Sequence, residues 1–238
     1  MNNTQFLECI TQSFLKFLDT GSRSNEKLKI LHGAIAKDLL ERLRLKDNSY
    51  QIKSLGFSDN KEGKIKGRYI DKNVDITIYK DDEPIAGIGV KFVMQNYAQN
   101  SNNYFENMLG ETANIRSNKI PYFQIFIIPE KLPYYKQGGI FDKWESFNEH
   151  HLKKYKVLSK DNEDNFLHTP NKMLLYVLFL PEVSTTIIKS EDYINFYKGI
   201  EKLDITISNT MYTDFGKNVI VNDYEEFINK VEHSILAI

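Results

Sequence analysis

The apolar positions change period several times along the chain, and each change marks a predicted element. Phe6, Ile10, Phe14 and Leu18 recur every four residues, which predicts a helix ending near Thr20-Gly21. Ser24 then offers an N-cap oxygen to a second helix with the stripe Leu28, Leu31, Ile35, Leu39 and Leu43. His32 lies on the edge of that stripe and, with no partner His or Asp at metal spacing, reads as a packed or surface residue. From Tyr50 the period falls to two. YQIKSLGF, the polar turn SDNKEGKI and KGRYI together predict a hairpin, and VDITIYKDDEPIAGIGVKF, from Val74 to Phe92, predicts two more strands. Between Asn96 and Ser117 the helical period returns, with Tyr104, Phe105, Met108, Leu109, Thr112 and Ile115 on one side. PYFQIFIIP and MLLYVLFL are apolar almost throughout, the pattern of strands buried on both faces, and both are far too short to span a membrane. The remainder predicts a loop at KQGGI, a polar helix around Asp142 to Lys156 and a helix from about Ser190 to Lys202. LDITIS and NVIVN read as strands, and Tyr224 to Leu236 as a terminal helix.

Strands and helices alternate without a repeat, a linker or a low-complexity tract. The expected architecture is one α/β domain: a mixed central sheet with flanking helices, its core over about residues 24–129 and a C-terminal elaboration over about 130–238. A hydrophobic fraction of 41% is that of a folded globular chain rather than a disordered one. The single cysteine, Cys9, excludes an internal disulfide framework and a thiolate zinc cluster. With no basic-then-apolar leader at the N-terminus, the expected setting is cytoplasmic, away from membranes. Net charge is only −1, yet it is unevenly placed: residues 1–70 carry 13 Lys/Arg against 8 Asp/Glu, and residues 182–238 carry 5 against 10. A basic first part suits phosphate contacts. No glycine-rich phosphate loop, GxSxG, HExxH or dinucleotide fingerprint occurs, so no nucleotide cofactor is expected.

The informative chemistry lies in Val74 to Phe92. Centring the turn on Asp82 to Pro84 sets Asp75 opposite Lys91, Thr77 opposite Gly89 and Tyr79 opposite Gly87. Ile76 and Ile78 then share the other face with Val90 and Ile88. One face packs and the other stays open, with two glycines beside a lysine, as where a backbone or a ligand approaches closely. Taken alone, Asp75 and Lys91 also read as a cross-strand ion pair on a wet face, worth less than about 1 kcal/mol.

In context the pattern V-D75-I-T-I, followed by G89-V90-K91-F, then a helix and a buried strand, resembles the PD-(D/E)XK nuclease superfamily, and type II restriction endonucleases most. The likeness covers roughly residues 24–129 in the order helix, three strands, helix, strand. It implies a restriction-endonuclease-like core and Mg²⁺-dependent, sequence-specific cleavage of double-stranded DNA. Asp75 and a second carboxylate would hold the metal with the backbone carbonyl of Val90, and Lys91 would place the attacking water. It implies a homodimer for cutting a palindrome. A structure-specific repair or junction nuclease and an inactive DNA-binding relative are the alternatives within the same likeness.

Gly89 stands where the family carries Asp or Glu, so the second acid has to come from elsewhere. Some relatives take it from the following helix. Here that helix offers Glu106, fifteen residues beyond Lys91, and Glu111, twenty beyond. Spacing favours Glu106, with Gly110 one turn later permitting a close approach to the sheet; Glu111 is the alternative, about 140° away around the helix. Gln95 is a further candidate for orienting water or phosphate. Expected DNA contacts are Arg116 and the amide-rich helix, Asn103 among its residues, and the cations Lys153 and Lys154.

Overall fold

The computed structural model describes all residues, 1–238. In chain order its elements are α1 (Asn3–Thr20), α2 (Glu26–Arg44), β1 (Tyr50–Ser54), β2 (Gly63–Lys66), β3 (Asp71–Val74), β4 (Ile76–Lys80), β5 (Glu83–Phe92), α3 (Tyr97–Arg116) and β6 (Tyr122–Pro129). There follow β7 (Lys131–Tyr135), β8 (Phe141–Ser146), α4 (Glu149–Ser159), β9 (Lys172–Phe179), α5 (Ser190–Lys198), β10 (Thr206–Ile207), β11 (Val219–Val221) and α6 (Tyr224–Leu236). The central sheet runs β1-β4-β5-β6-β9, with β10 and β11 sharing the far edge of β9. The pairs β1/β4 and β4/β5 are antiparallel, whereas β5/β6 and β6/β9 are parallel. The sheet is therefore mixed, in an α/β molecule. No helix is long and apolar enough to cross a membrane.

Alternation along the strands builds three layers. Phe123, Ile125 and Ile127 of β6 join Leu174, Tyr176 and Leu178 of β9 under α1, α2, α5 and α6. Phe126 and Ile128 join Met173, Leu175 and Val177 against α3 and α4 on the other face. Both faces of β6 and β9 are thus covered, which explains their nearly unbroken apolar runs.

Three expectations need correction. β1 pairs with β4, not with the strand that follows it, and the first hairpin is β2/β3 with Gly67–Ile70 as its tip. Of KGRYI only Lys66 lies in a strand. Phe141–Ser146 is a strand paired with β7, and the helix starts only after Asn148, whose side chain accepts from the His150 N–H. That asparagine is the N-cap signal that fixes the start. In the β4/β5 hairpin, Asp81 and Asp82 both take positive φ in a tight turn, and the register shifts between Ile78 and Tyr79. Thr77 therefore faces Gly87 and Ile76 faces Ile88, two residues away from the expected register. A shift of two preserves the faces, so Asp75, Gly87, Gly89 and Lys91 still share one side.

Candidate active site

Asp75 is the residue between two ladders. Val74 before it pairs with Gly63 in the β2/β3 sheet, and Ile76 after it pairs with Ile88 in the central sheet. The chain bends there, and Ser54 Oγ donates to the Asp75 carbonyl at 2.7 Å. Because β4 begins only at Ile76, the Val90 N–H has no ladder partner on that side. The Asp75 carboxylate takes its place, Oδ2 accepting from Val90 N at 2.7 Å. Burial pushes the Asp75 pKa up to about 6, against the lowering effect of that hydrogen bond; the charge of Glu111 raises it further, while Lys91 and Lys72 oppose.

Lys91, two residues after Gly89 and on the same face of β5, extends into a cleft of about 610 Å³. Its ammonium stands over the Tyr104 ring, 4.4 Å from the centroid. Desolvation lowers its pKa, with Asp75 opposing, which brings the amine nearer the range in which it exchanges protons. Glu111, Tyr104, Asn107 and Met108 line the cleft from α3; Gln95, Gly89 and Val90 line it from β5 and the segment after it.

The space above Gly89 is filled from β6. A Cβ at Gly89 would lie 2.6 Å from the Tyr122 hydroxyl and 2.8 Å from Gln124 Oε1. The Tyr122 O–H donates to Glu111 Oε1. Burial and the Glu111 charge hold the Tyr122 pKa far above its ordinary range, so the phenol remains a donor. The bare glycine therefore lets a tyrosine reach through and hold an acid of α3 beside Asp75. Lys72 Nζ approaches the other Glu111 oxygen at 3.5 Å.

Glu106 lies elsewhere. With 100° per residue, it sits about 160° from Met108, the buried centre of α3, whereas Glu111 sits about 60° from it. Glu106 is exposed, its charge acts on Lys154 rather than on Asp75, and a Cβ at Gly110 would meet nothing within 4 Å. The helix approaches the sheet by a different face from the one its glycine suggested. Arg116 is turned inward, donating to the carbonyls of Thr169 at 2.5 Å and Phe166 at 3.2 Å. Lys154 donates to Ser101 O at 2.8 Å and lies over the Phe105 ring. Both cations hold the fold together. Asn103 and Lys153 are exposed, and neither lines the cleft that holds Asp75.

Two further residues join the site that spacing alone did not single out. His32 of α2 is fully buried, with Nδ1 3.9 Å from Asp75 Oδ1 and neither ring nitrogen hydrogen-bonded. Burial lowers its pKa to about 4, so at neutral pH it faces Asp75 uncharged. Glu62, just before β2, has its pKa raised by burial and then by Asp75, with a smaller effect from Glu111. Gln124 had a visible signal: it is the one polar residue in YFQIFII, on the same strand face as Tyr122.

Oxygen-rich, mutually repelling carboxylates suit a hard divalent cation. The charge of Glu111 raises the cost of ionising Asp75, and the charges of Asp75 and Glu111 raise that of Glu62; a cation removes that cost. No group of three or more His, Cys, Asp or Glu side chains is gathered at ligand distances. Mg²⁺ does not require one, since one or two carboxylates with several waters complete its shell. No family model, no curated protein and no solved structure matches this chain.

Proposed function

We propose that the chain is a Mg²⁺-dependent DNA endonuclease of the PD-(D/E)XK type, acting on double-stranded DNA in the manner of a type II restriction enzyme. The observation that carries this reading is the cleft in which Asp75, Glu111 and Lys91 meet, with Tyr122 reaching across Gly89 to hold the second acid. The order α2, β1, β4, β5, α3, β6 supports it as well, being helix, three strands, helix, strand once the β2/β3 hairpin is set aside.

In this reading Asp75 and Glu111, with the Val90 carbonyl, would hold Mg²⁺, which when bound would supply stabilisation of the charge that develops at the phosphate. Val90 N–H fixes one Asp75 oxygen and leaves the other free. Tyr122 fixes Oε1 of Glu111, and Lys72 stands 3.5 Å from Oε2. Lys91 orients the attacking water, donating a hydrogen bond to its oxygen as the ammonium or taking its proton as the neutral amine, and solvent takes that proton where Lys91 stays charged. Water adds to phosphorus, the bond from phosphorus to the bridging oxygen breaks, and that oxygen takes up a proton from solvent. Gln95 and Asn107 offer amides to the non-bridging oxygens. The enzyme acts as a homodimer, since two-fold protein symmetry matches a palindromic site.

The test is incubation of plasmid and phage DNA with the protein and Mg²⁺ or Mn²⁺, beside Asp75→Ala folded to the same stability. Discrete fragments from wild type alone are expected. Cutting confined to branched or damaged substrates would assign the site to a repair or junction nuclease. No cutting over a wide range of DNA sequences and both metals would overturn the proposal.

A further inference from the structure

The β2/β3 hairpin grows directly out of Asp75 and ends in an apolar tip that nothing covers. Tyr69 is 84% exposed and Ile70 is 62% exposed, adjacent to one another in the turn. Isolated exposed apolar residues need no explanation, but this pair sits on a firmly held backbone. Asn114 of α3 holds it. Its Oδ1 accepts from Tyr69 N at 2.9 Å and from Ile70 N at 3.3 Å, and its Nδ2 donates to Ile70 O at 2.8 Å. Arg68 N donates to the Asn114 carbonyl at 2.7 Å, and Asn118 Nδ2 donates to Lys66 O at 2.8 Å. Gly67 is required for this approach, since a Cβ there would lie 2.0 Å from Asn114 Nδ2.

Charge on the hairpin is as one-sided as its packing. Ile65 and Val74 face inward against Ile115 and Tyr122. Lys64, Lys66 and Arg68 are exposed, and none of them forms an ion pair, although Asp71 is the strand partner of Lys66. The fourth cation, Lys72, is the one beside Glu111. A preset tip with an aromatic and an aliphatic side chain, flanked by unpaired cations, fits a polyanion that presents stacked apolar faces between its charges. Duplex DNA is such a partner: cations neutralise phosphates, while apolar side chains pack against or between base steps.

Building on the nuclease reading, we infer that the β2/β3 hairpin is a DNA-engaging wedge. Lys64, Lys66 and Arg68 contact backbone phosphates, and Tyr69 with Ile70 enters a groove and packs on a base step next to the phosphate held at Asp75. The hairpin is thereby the positioning element of the substrate, distinct from the groups that do the chemistry.

The test uses full-length protein and a fluorescein-labelled duplex in Ca²⁺, read by anisotropy over a salt series, with a 2-aminopurine duplex to report unstacking. Three variants are compared: Lys64→Ala/Lys66→Ala/Arg68→Ala, Tyr69→Ala/Ile70→Ser, and Asp75→Asn. Each phosphate contact contributes about 0.9 to the slope of log affinity against log salt, so the triple variant is expected to flatten it by about 2 to 3. The tip variant is expected to bind about tenfold more weakly and to lose the 2-aminopurine signal, with the salt slope unchanged. Affinity, slope and signal equal to wild type in both hairpin variants would overturn the inference. So would a tip variant that turns a dimer into a monomer with unchanged DNA affinity, since the tip then serves contact between copies. If wild type cleaves no DNA yet shows the hairpin-dependent slope and signal, the nuclease reading fails and the wedge stands. If it cleaves and the hairpin variants cleave and bind alike, the wedge fails and the nuclease reading stands.

Discussion

The two flanks of α3 look alike in the sequence and differ in what their charges do. On one flank Lys154 and Arg116 are held by backbone carbonyls, so removing either leaves those carbonyls without their donor. On the other flank Asp75 and Glu111 line a cleft, their charges oppose the ionisation of nearby Glu62, and Lys91 stands over a ring with no carboxylate paired to it. The first arrangement lowers the energy of the fold. The second raises it, and proteins keep such arrangements chiefly where a ligand restores the balance. Charge alone therefore identifies nothing; the informative quantity is whether each charge already has its partner inside the protein.

The comparison breaks most visibly in catalysis. Lys91→Ala and Glu111→Ala are each expected to reduce Mg²⁺-dependent DNA cleavage by at least about 10³-fold, the scale of removing a group that stabilises developing charge. Glu106→Ala, on the opposite flank, is expected to stay within about twofold of wild type. Equal losses at Glu106 and Glu111 would remove the distinction between the two flanks.

Stability should respond in the opposite sense. Arg116→Ala is expected to cost about 1.5 to 3 kcal/mol in urea unfolding, as for hydrogen bonds to a charged group. Asp75→Asn is expected to stabilise. The folded state binds the Asp75 proton up to about pH 6 and the unfolded state only to about 3.8, so wild type loses stability as pH rises through that window. In divalent-free buffer at pH 8 the variant should therefore gain about 1 to 3 kcal/mol, with the gain vanishing toward pH 4. A gain that persists at pH 4 would show that burial of the charge is not its cause.

Two glycines test the packing of the flanks with opposite signs. Gly89→Ala drives a Cβ into Tyr122 and Gln124 and is expected to cost about 1 to 3 kcal/mol while loosening Glu111. Gly110→Ala meets open space on a helix and is expected to gain about 0.5 to 1 kcal/mol. Thermal unfolding of the two variants side by side checks both signs.

The shared face of Asp75 and Lys91 was legible because each takes the open-face position of a strict strand alternation, and the faces survive even a two-residue error in register. The helices and the apolar strands β6 and β9 were legible for the same reason: period and apolar run length are local. The choice between Glu106 and Glu111 was not local. It depends on how α3 is rotated against the sheet, which is set by Tyr97, Met108, Thr112 and Ile115 packing below it. A signal was present, since Glu111 lies three residues after Met108 and four before Ile115, on the buried side. The role of Tyr122 required knowing that β6 lies beside β5 in parallel, with Gln124 level with Gly89. The partner of β1 was equally out of reach, since a strand's neighbour in sequence is only its most frequent neighbour in space.

The seam at Asp75 has a consequence for how the molecule can change. β2 and β3 pair as strands only with one another, and β4 takes its register from β1 and β5. Residue pairs added to or removed from the hairpin alter how far it reaches and leave every pairing of the central sheet in place. The side chains of its outer face and of Tyr69 and Ile70 can therefore diverge, while the carboxylate at its root keeps its grip on Val90.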